Sequence, residues 1–452
     1  MLRIALAASL LIIAIATWQI TVSASDSTPT VTIYDPNPQH IWNRMYSALL
    51  VRQDSTGAVF GADALDPPLL GASRHLLEQE SHKAALRVLD EFLQSHAENL
   101  VHDPVKRALF VRDMWTIFDW AVERTAFASN ESFDAEKREL QVRLAEVLRR
   151  LAMPSREIES LPDNYAQAVA SGEFPKEYDP AQPDRAFLPP DLFDPHGPWV
   201  LIQGSDRLPA QQHLSFFSGR SRFLIFLRVP GGRKATYDYL RDLWQYQEPW
   251  VGGREDAADQ AQINPRLPSF PAGTEVALVR QMTTFDDHGN LVPAPITESL
   301  QIRVYRTVTP EHRESLANLK AAIEASGQQF FEIRLDRALL FAGRVGGLRE
   351  IGPEEKELFL FNAMPIDQLD DPKAKIDLTR TNPILQGCVW CHRQPGIQSL
   401  NSLPALLKPN SMQREPGYEL SARWWEQDGT TDWKKNREEW GLLNGYWRQP
   451  PR

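Results

Sequence analysis

The two cysteines of this 452-residue chain lie three positions apart, and a histidine directly follows the second: Cys388, Cys391 and His392. This C-x-x-C-H spacing is the attachment motif of c-type haem. Within one helical turn, two thiols at this spacing can reach the two vinyl groups of a porphyrin, and the adjacent imidazole then lies beneath the iron. The motif therefore predicts one covalently attached haem.

Two other uses of the cysteine pair are less consistent with its surroundings. A thioredoxin-like dithiol follows a strand in a βαβ unit, whereas this pair follows the turn-like Thr381-Asn382-Pro383. A structural zinc site needs two more ligands, which closed sites usually supply at short spacing. Because the chain has only these two cysteines, a structural disulfide would consume the motif.

Around the motif the chain resembles cytochrome c, and this resemblance covers only the motif and its immediate surroundings. The resemblance implies that Cys388 and Cys391 form the thioethers and that His392 is the proximal iron ligand. In that family a proline about a dozen residues after the histidine often accepts the imidazole N–H through its carbonyl. Pro404 is in register for this role.

The second iron ligand departs from the cytochrome c pattern, in which a methionine far downstream usually supplies it. Here Met412 is the only methionine after the motif, and no histidine follows it. We therefore predict Met412 as a metal ligand, with two alternatives: a ligand from upstream, or a five-coordinate iron. The upstream candidates are Met364, His196, His213 and His288.

A wider resemblance spans most of the chain after its N-terminal apolar segment. The segments YDPNPQHIWNRMYSALLVR, FLIFLRVPGGRKATYDYL, GTEVALVR and CVWCHRQPGIQSLNSL resemble a group of uncharacterised exported bacterial proteins. Those proteins carry one C-x-x-C-H motif late in the sequence. The resemblance implies export and haem attachment, and it does not indicate which reaction the protein takes part in.

The N-terminus has the features of a secretory signal. Arg3 precedes an apolar stretch from Ile4 to about Ile20, and the small-residue site Val22-Ser23-Ala24 fits cleavage before Ser25. We therefore predict a signal peptide over residues 1–24 and a periplasmic or secreted protein without a membrane span after cleavage. An uncleaved membrane anchor is the alternative, because the apolar run is at the lower limit for spanning a bilayer.

The composition is that of an ordinary globular protein, with 42% hydrophobic and 24% charged residues. The net charge of -10 gives no general attraction to phosphate backbones, so nucleic acid is not an expected partner. At about 150 residues per domain, the length predicts more than one domain.

The residue pattern predicts an α+β fold in several parts. Residues 30–173 have the spacing of amphipathic helices, and Asp103 followed by Pro104 is a typical helix start. Residues 174–198 are rich in proline and form a linker or an extended strap. Residues 199–380 alternate like the strands of a mostly antiparallel sheet, with a helix near 233–247. Residues 381–452 hold the motif and a tryptophan-rich tail.

The tail has two interpretations: its tryptophans shield a haem from water, or they dock a C-terminal helix with Trp433 and Trp440 on one face. Docking is favoured because helical spacing alone explains it.

For the whole chain we predict a monohaem protein that exchanges single electrons with a redox partner protein. The alternatives are a haem enzyme or small-ligand sensor with an open iron site, and a structural or binding protein with an unoccupied motif.

Overall fold

The structure is a computed structural model, and it describes residues 31–53, 57, 59–61, 75–122, 133–202, 210–244, 250–251, 262–264, 266–307, 327–355, 384–392, 396–400 and 429–448. Six strands form one antiparallel sheet, and helices precede, interrupt and follow it. The predicted α+β class is confirmed. The predicted signal segment, Met364, Pro404 and Met412 lie outside the described residues.

The described helices are α1 (Ile41–Leu50), α2 (Gln79–Gln94), α3 (Pro104–Val122), α4 (Asp134–Leu151), α5 (Ser155–Glu159), α6 (Asn164–Ser171), α7 (Gln211–Phe216), α8 (Gly232–Trp244), α9 (Arg337–Phe341), α10 (Ile384–His392), α11 (Gly429–Lys435) and α12 (Glu438–Arg448). Short 3-10 helices cover His75–Leu77, Ala97–Asn99, Val345–Gly347 and Gly396–Ser399. Within the described residues, no helix combines the length and the apolar character needed to cross a membrane.

Helix α3 lies at the centre of the helical layer and is buried on nearly all sides. It begins at Pro104, and the Asp103 carboxylate accepts hydrogen bonds from the amides of Val105 (2.8 Å) and Lys106 (3.1 Å), as the sequence predicts. Buried charges must be paired, and the buried charges of α3 pair with residues that are far away in the sequence. Arg112 binds Glu298, and Asp113 binds Arg337.

The described strands are β1 (Arg52–Gln53), β2 (Val59–Phe60), β3 (Val200–Ile202), β4 (Ser221–Arg228), β5 (Trp250–Val251), β6 (Gln262–Ile263), β7 (Thr274–Phe285), β8 (Leu291–Tyr305), β9 (Gln328–Leu335) and β10 (Leu348–Glu350). The large sheet has the order β10-β9-β8-β7-β4-β3. A turn at 286–290 joins β7 to β8, which pair in antiparallel register.

The two faces of the large sheet differ in chemistry. One row across four strands is apolar, formed by Leu224, Val279, Leu300 and Ile333, and it belongs to a large buried core. Since successive side chains alternate between faces, the neighbouring rows face the other way. They bring Arg280, Arg303, Gln301 and Glu332 to that second face. The second face carries the site described below.

The proline-rich segment 174–198 packs closely on the protein. Phe187 and Leu192 are fully buried in the same core as the apolar face of the sheet. Arg233 at the start of α8 donates hydrogen bonds to the carbonyls of Gly197 (3.0 Å) and Trp199 (2.8 Å). These contacts hold the end of the segment where β3 begins.

The C-terminal tail forms two helices where the sequence predicts one, because α11 ends at Lys435 and α12 begins at Glu438. Trp440 is buried against Trp115 of α3, with 5.9 Å between ring centres. Trp433 instead packs against a different cluster, which includes Ile397 and Leu400. The two tryptophans therefore do not share one face.

Candidate haem site

The C-x-x-C-H motif forms the end of helix α10, so Cys388, Cys391 and His392 occupy positions i, i+3 and i+4 of one helix. Residues at these spacings lie on the same side of a helix. Helix α10 packs against β9, and Cys388 packs on an apolar pair formed by Phe330 and Val389. The helix thus places Cys388 beside the second face of the sheet.

The His392 imidazole has a defined tautomer. Its Nδ1 lies 2.8 Å from the carbonyl oxygen of Ser399. A carbonyl only accepts hydrogen bonds, so Nδ1 carries the proton and donates. Nε2 of the neutral ring then keeps its lone pair, which is the form that binds a metal. The acceptor is the Ser399 carbonyl, whereas the sequence points to Pro404.

Ser399 is itself held by the sheet. Arg303 donates from Nη1 to the Ser399 carbonyl and to its Oγ, both at 3.1 Å. The Tyr305 hydroxyl contacts the same Oγ at 2.5 Å, and this Oγ donates to the carbonyl of Gly396 at 2.8 Å. Gln328 donates to the carbonyl of His392 at 3.1 Å. Strands β8 and β9 therefore position both ends of the loop that orients the imidazole.

A second imidazole faces His392. His213 lies in α7, and its ring centre is 6.0 Å from that of His392, with only 6° between the ring planes. Helix α7 and residues 396–400 contribute to one apolar cluster, through Leu214 on one side and Ile397 and Leu400 on the other. This shared cluster brings together two histidines that are far apart in the sequence.

The surroundings keep both imidazoles neutral. Burial, with the nearby Arg303 and Arg280 cations, lowers the pKa of His213 to about 4. Burial and Arg303 lower the pKa of His392 to about 3, although the hydrogen bond to Ser399 acts in the opposite direction and His213 lowers it slightly further. At neutral pH both rings therefore have a nitrogen lone pair.

The cations beside the two imidazoles are buried. Arg280 is 7% exposed, stacks over the Phe217 ring at 4.2 Å and forms an ion pair with Glu298 at 3.3 Å. Arg303 is 2% exposed, and its Nε has no hydrogen-bond partner among the described residues. A buried donor of this kind suits a carboxylate. A haem carries two propionate carboxylates, so the donor set fits this cofactor.

Among the described residues, no three histidine, cysteine, aspartate or glutamate side chains are grouped to hold a metal ion. A free ion such as zinc needs such a group. Haem iron does not, because the porphyrin supplies four nitrogens and the protein adds one or two axial ligands. Two neighbouring imidazoles therefore match the number and type of ligands that a haem iron takes from a protein.

The other candidate ligands are not part of this arrangement. His196 and His288 are exposed in loops. Met364 and Met412 lie outside the described residues, so the predicted role of Met412 stays a prediction. Sequence reasoning did not find Ser399, Arg303 or Tyr305, and no local sequence pattern marks them. His213 was one of several upstream candidates without a distinguishing signal.

No protein-family model, curated protein or solved structure matches the chain.

Proposed function

We propose that this chain is an exported monohaem c-type cytochrome that exchanges one electron at a time with a redox partner protein. The observation that carries the proposal is the hydrogen bond from His392 Nδ1 to the Ser399 carbonyl. It leaves Nε2 available at the end of a helix that also carries Cys388 and Cys391. A metal-binding histidine usually has its other nitrogen held in this way.

The residues have separate roles in this proposal. Cys388 and Cys391 would hold the porphyrin through thioether bonds, and His392 would bind the iron. The cofactor would supply an iron that cycles between the ferric and ferrous states. Phe330 and Val389 contribute apolar surface beside Cys388. Arg303 and Tyr305 keep the carbonyl of Ser399 in place.

Electron transfer is favoured over bond chemistry by the character of the site. The buried cations beside the imidazoles, Arg303 and Arg280, are already engaged with Ser399 and Glu298. Such fixed charges influence the reduction potential, and they do not donate or accept protons near neutral pH.

Export belongs to the same proposal because cytochrome c maturation takes place outside the cytoplasm. N-terminal sequencing of secreted protein tests it, with Ser25 expected as the first residue.

Intact mass measurement tests haem attachment. The full chain is produced with a cytochrome c maturation system, and we expect one haem mass added to the mature protein. A Cys388→Ala, Cys391→Ala double variant is expected to lose the added mass, whereas the matched control Trp390→Phe keeps both thiols and the haem. Wild-type protein without added mass would rule out the proposal.

Redox cycling tests electron transfer. The purified holoprotein is mixed with a reduced low-potential redox protein and then with an oxidised small c-type cytochrome, and its visible spectrum is followed in a stopped-flow instrument. We expect rapid and reversible reduction of one haem per chain. A haem that does not respond to either protein would exclude electron transfer while leaving haem attachment intact.

A further inference from the structure

We infer that His213 is the second axial ligand of the iron, so that the haem is held between His213 and His392. The inference rests on the proposed haem attachment and deepens it by naming the sixth ligand. The feature that carries it is the nearly parallel arrangement of the two rings, whose centres are 6.0 Å apart. It replaces Met412, the ligand that the cytochrome c pattern indicates.

The distance between the rings matches two imidazoles on opposite sides of one metal. A metal–imidazole nitrogen bond is about 2 Å long, and the ring centre lies about 1 Å beyond the nitrogen. Two such ligands in line place their ring centres about 6 Å apart. The observed separation is 6.0 Å. The angle between the two ring planes is 6°, so the planes are nearly parallel.

The position of His213 is set by packing that needs no metal. Leu214, the next residue, is 1% exposed within the cluster that contains Phe217 and Phe223. The His213 ring lies 5.5 Å from the Phe223 ring of β4, and the Phe217 amide donates to the His213 carbonyl at 3.2 Å. Helix α7 is thus attached to the sheet on the side that faces α10, and His213 is preorganised.

The chemistry of the pair also suits ligation. His392 has its proton on Nδ1, because this nitrogen donates to the Ser399 carbonyl, and imidazole is a common axial ligand of haem iron. Iron with two neutral imidazoles is expected to be six-coordinate and low-spin in both oxidation states. It then has no open position for a diatomic ligand, which disfavours the enzyme or sensor alternative. Its potential is expected to be lower than that of a histidine–methionine haem, because methionine raises the potential.

The wild-type spectrum gives the first test and needs no substitution. The ferric holoprotein is examined by electron paramagnetic resonance and near-infrared magnetic circular dichroism, which distinguish bis-histidine from histidine–methionine ligation. We expect the bis-histidine signature and no methionine–iron charge-transfer band. A methionine signature, or a high-spin spectrum at neutral pH, would overturn the inference.

Substitution assigns the ligand to its residue. His213→Ala is expected to give a high-spin haem that binds carbon monoxide when reduced, and added imidazole is expected to restore the low-spin spectrum. His213→Met is expected to introduce the methionine band and to raise the potential. Met412→Leu and His288→Ala are the matched controls, and both are expected to keep the wild-type spectrum. A low-spin His213→Ala protein, or loss of the spectrum in Met412→Leu, would refute the assignment.

Intact mass is recorded for every sample, which separates the two proposals. Wild-type protein without covalent haem contradicts the proposed function. Protein with covalent haem whose spectrum does not depend on His213 contradicts only the ligand assignment. If His213→Ala fails to accumulate, the wild-type spectrum and His213→Met still decide the question.

Discussion

Arg303 and His392 converge on one atom, the carbonyl oxygen of Ser399. The arginine donates to it at 3.1 Å and the imidazole at 2.8 Å. A buried cation from the sheet therefore orients the imidazole through a backbone group. The same cation lowers the pKa of both His392 and His213. It acts on the proposed haem site through both geometry and charge.

Removing the charge of Arg303 is expected to lower the reduction potential. A buried positive charge near the iron disfavours the ferric form, so Arg303→Gln should lower the midpoint by on the order of tens of millivolts. Arg303→Lys keeps the charge and is expected to stay closer to wild type. Spectroelectrochemical titration at fixed ionic strength measures both. Equal shifts in the two variants would show that charge is not the cause.

Ser399 is expected to contribute to stability through its side chain. Ser399→Ala leaves the buried Tyr305 hydroxyl and one Arg303 contact without their partner. Leaving buried polar groups unsatisfied costs about 1–3 kcal/mol. Urea unfolding of the holoprotein measures the change. Tyr305→Phe serves as the control, because it removes the hydroxyl itself, and its cost is expected to be smaller. A Ser399→Ala protein as stable as wild type would contradict this account.

Lys434 is expected to be essential for docking the C-terminal helices. Its side chain is fully buried, and its Nζ lies 2.8 Å from Asp119 and 3.2 Å from Glu439. Removing one partner of a buried ion pair typically costs 3–5 kcal/mol because the remaining charge is uncompensated. We expect Lys434→Ala to destabilise the protein by about that amount in denaturant unfolding.

The neighbouring Lys435 is exposed and makes a matched control, so Lys435→Ala should have little effect. Hydrogen exchange in α12 gives a second readout, since loss of the anchor should increase exchange there first. Equal stability of the two lysine variants would contradict the proposed anchor.

Asp286 is expected to make the stability depend on acid pH. Burial alone raises the pKa of this carboxylate, but hydrogen bonds from Ser155, Asn290 and His288 lower it on balance below the ordinary value of 3.8. Because the folded pKa is lowered, the unfolded state binds the proton first as the pH falls. The contribution of Asp286 is therefore complete above about pH 5 and is lost through the range below pH 4.

Asp286→Asn is expected to cost about 1–2 kcal/mol at neutral pH and to flatten this acid dependence. Unfolding free energies between pH 5 and pH 2 measure the slope. The adjacent Asp287 is exposed, so Asp287→Asn controls for net charge. A slope unchanged in Asp286→Asn would show that another group is responsible.

Local sequence signals predicted much of the fold. The start of α3 follows from Asp103 and Pro104, which act on amides within the same helical turn. The main strands follow from alternation of apolar residues, because one face of the sheet is buried. The break between α11 and α12 was missed. Lys434, near the end of α11, is buried because it forms an ion pair with Asp119 of α3. The periodicity of residues within the tail does not predict this partner.

The spacing of Cys388, Cys391 and His392 lies within one helical turn, so the residue pattern alone is sufficient to predict a haem-attachment motif. The groups that surround this motif depend instead on how distant parts of the chain pack together. Hydrogen bonds with Arg303 and Tyr305 position Ser399 beside His392. The apolar cluster that joins α7 to residues 396–400 positions His213 there. These contacts depend on strand pairing and on burial between distant segments. Pairing and burial are properties of the folded chain, and a local residue pattern does not predict which distant segments will meet.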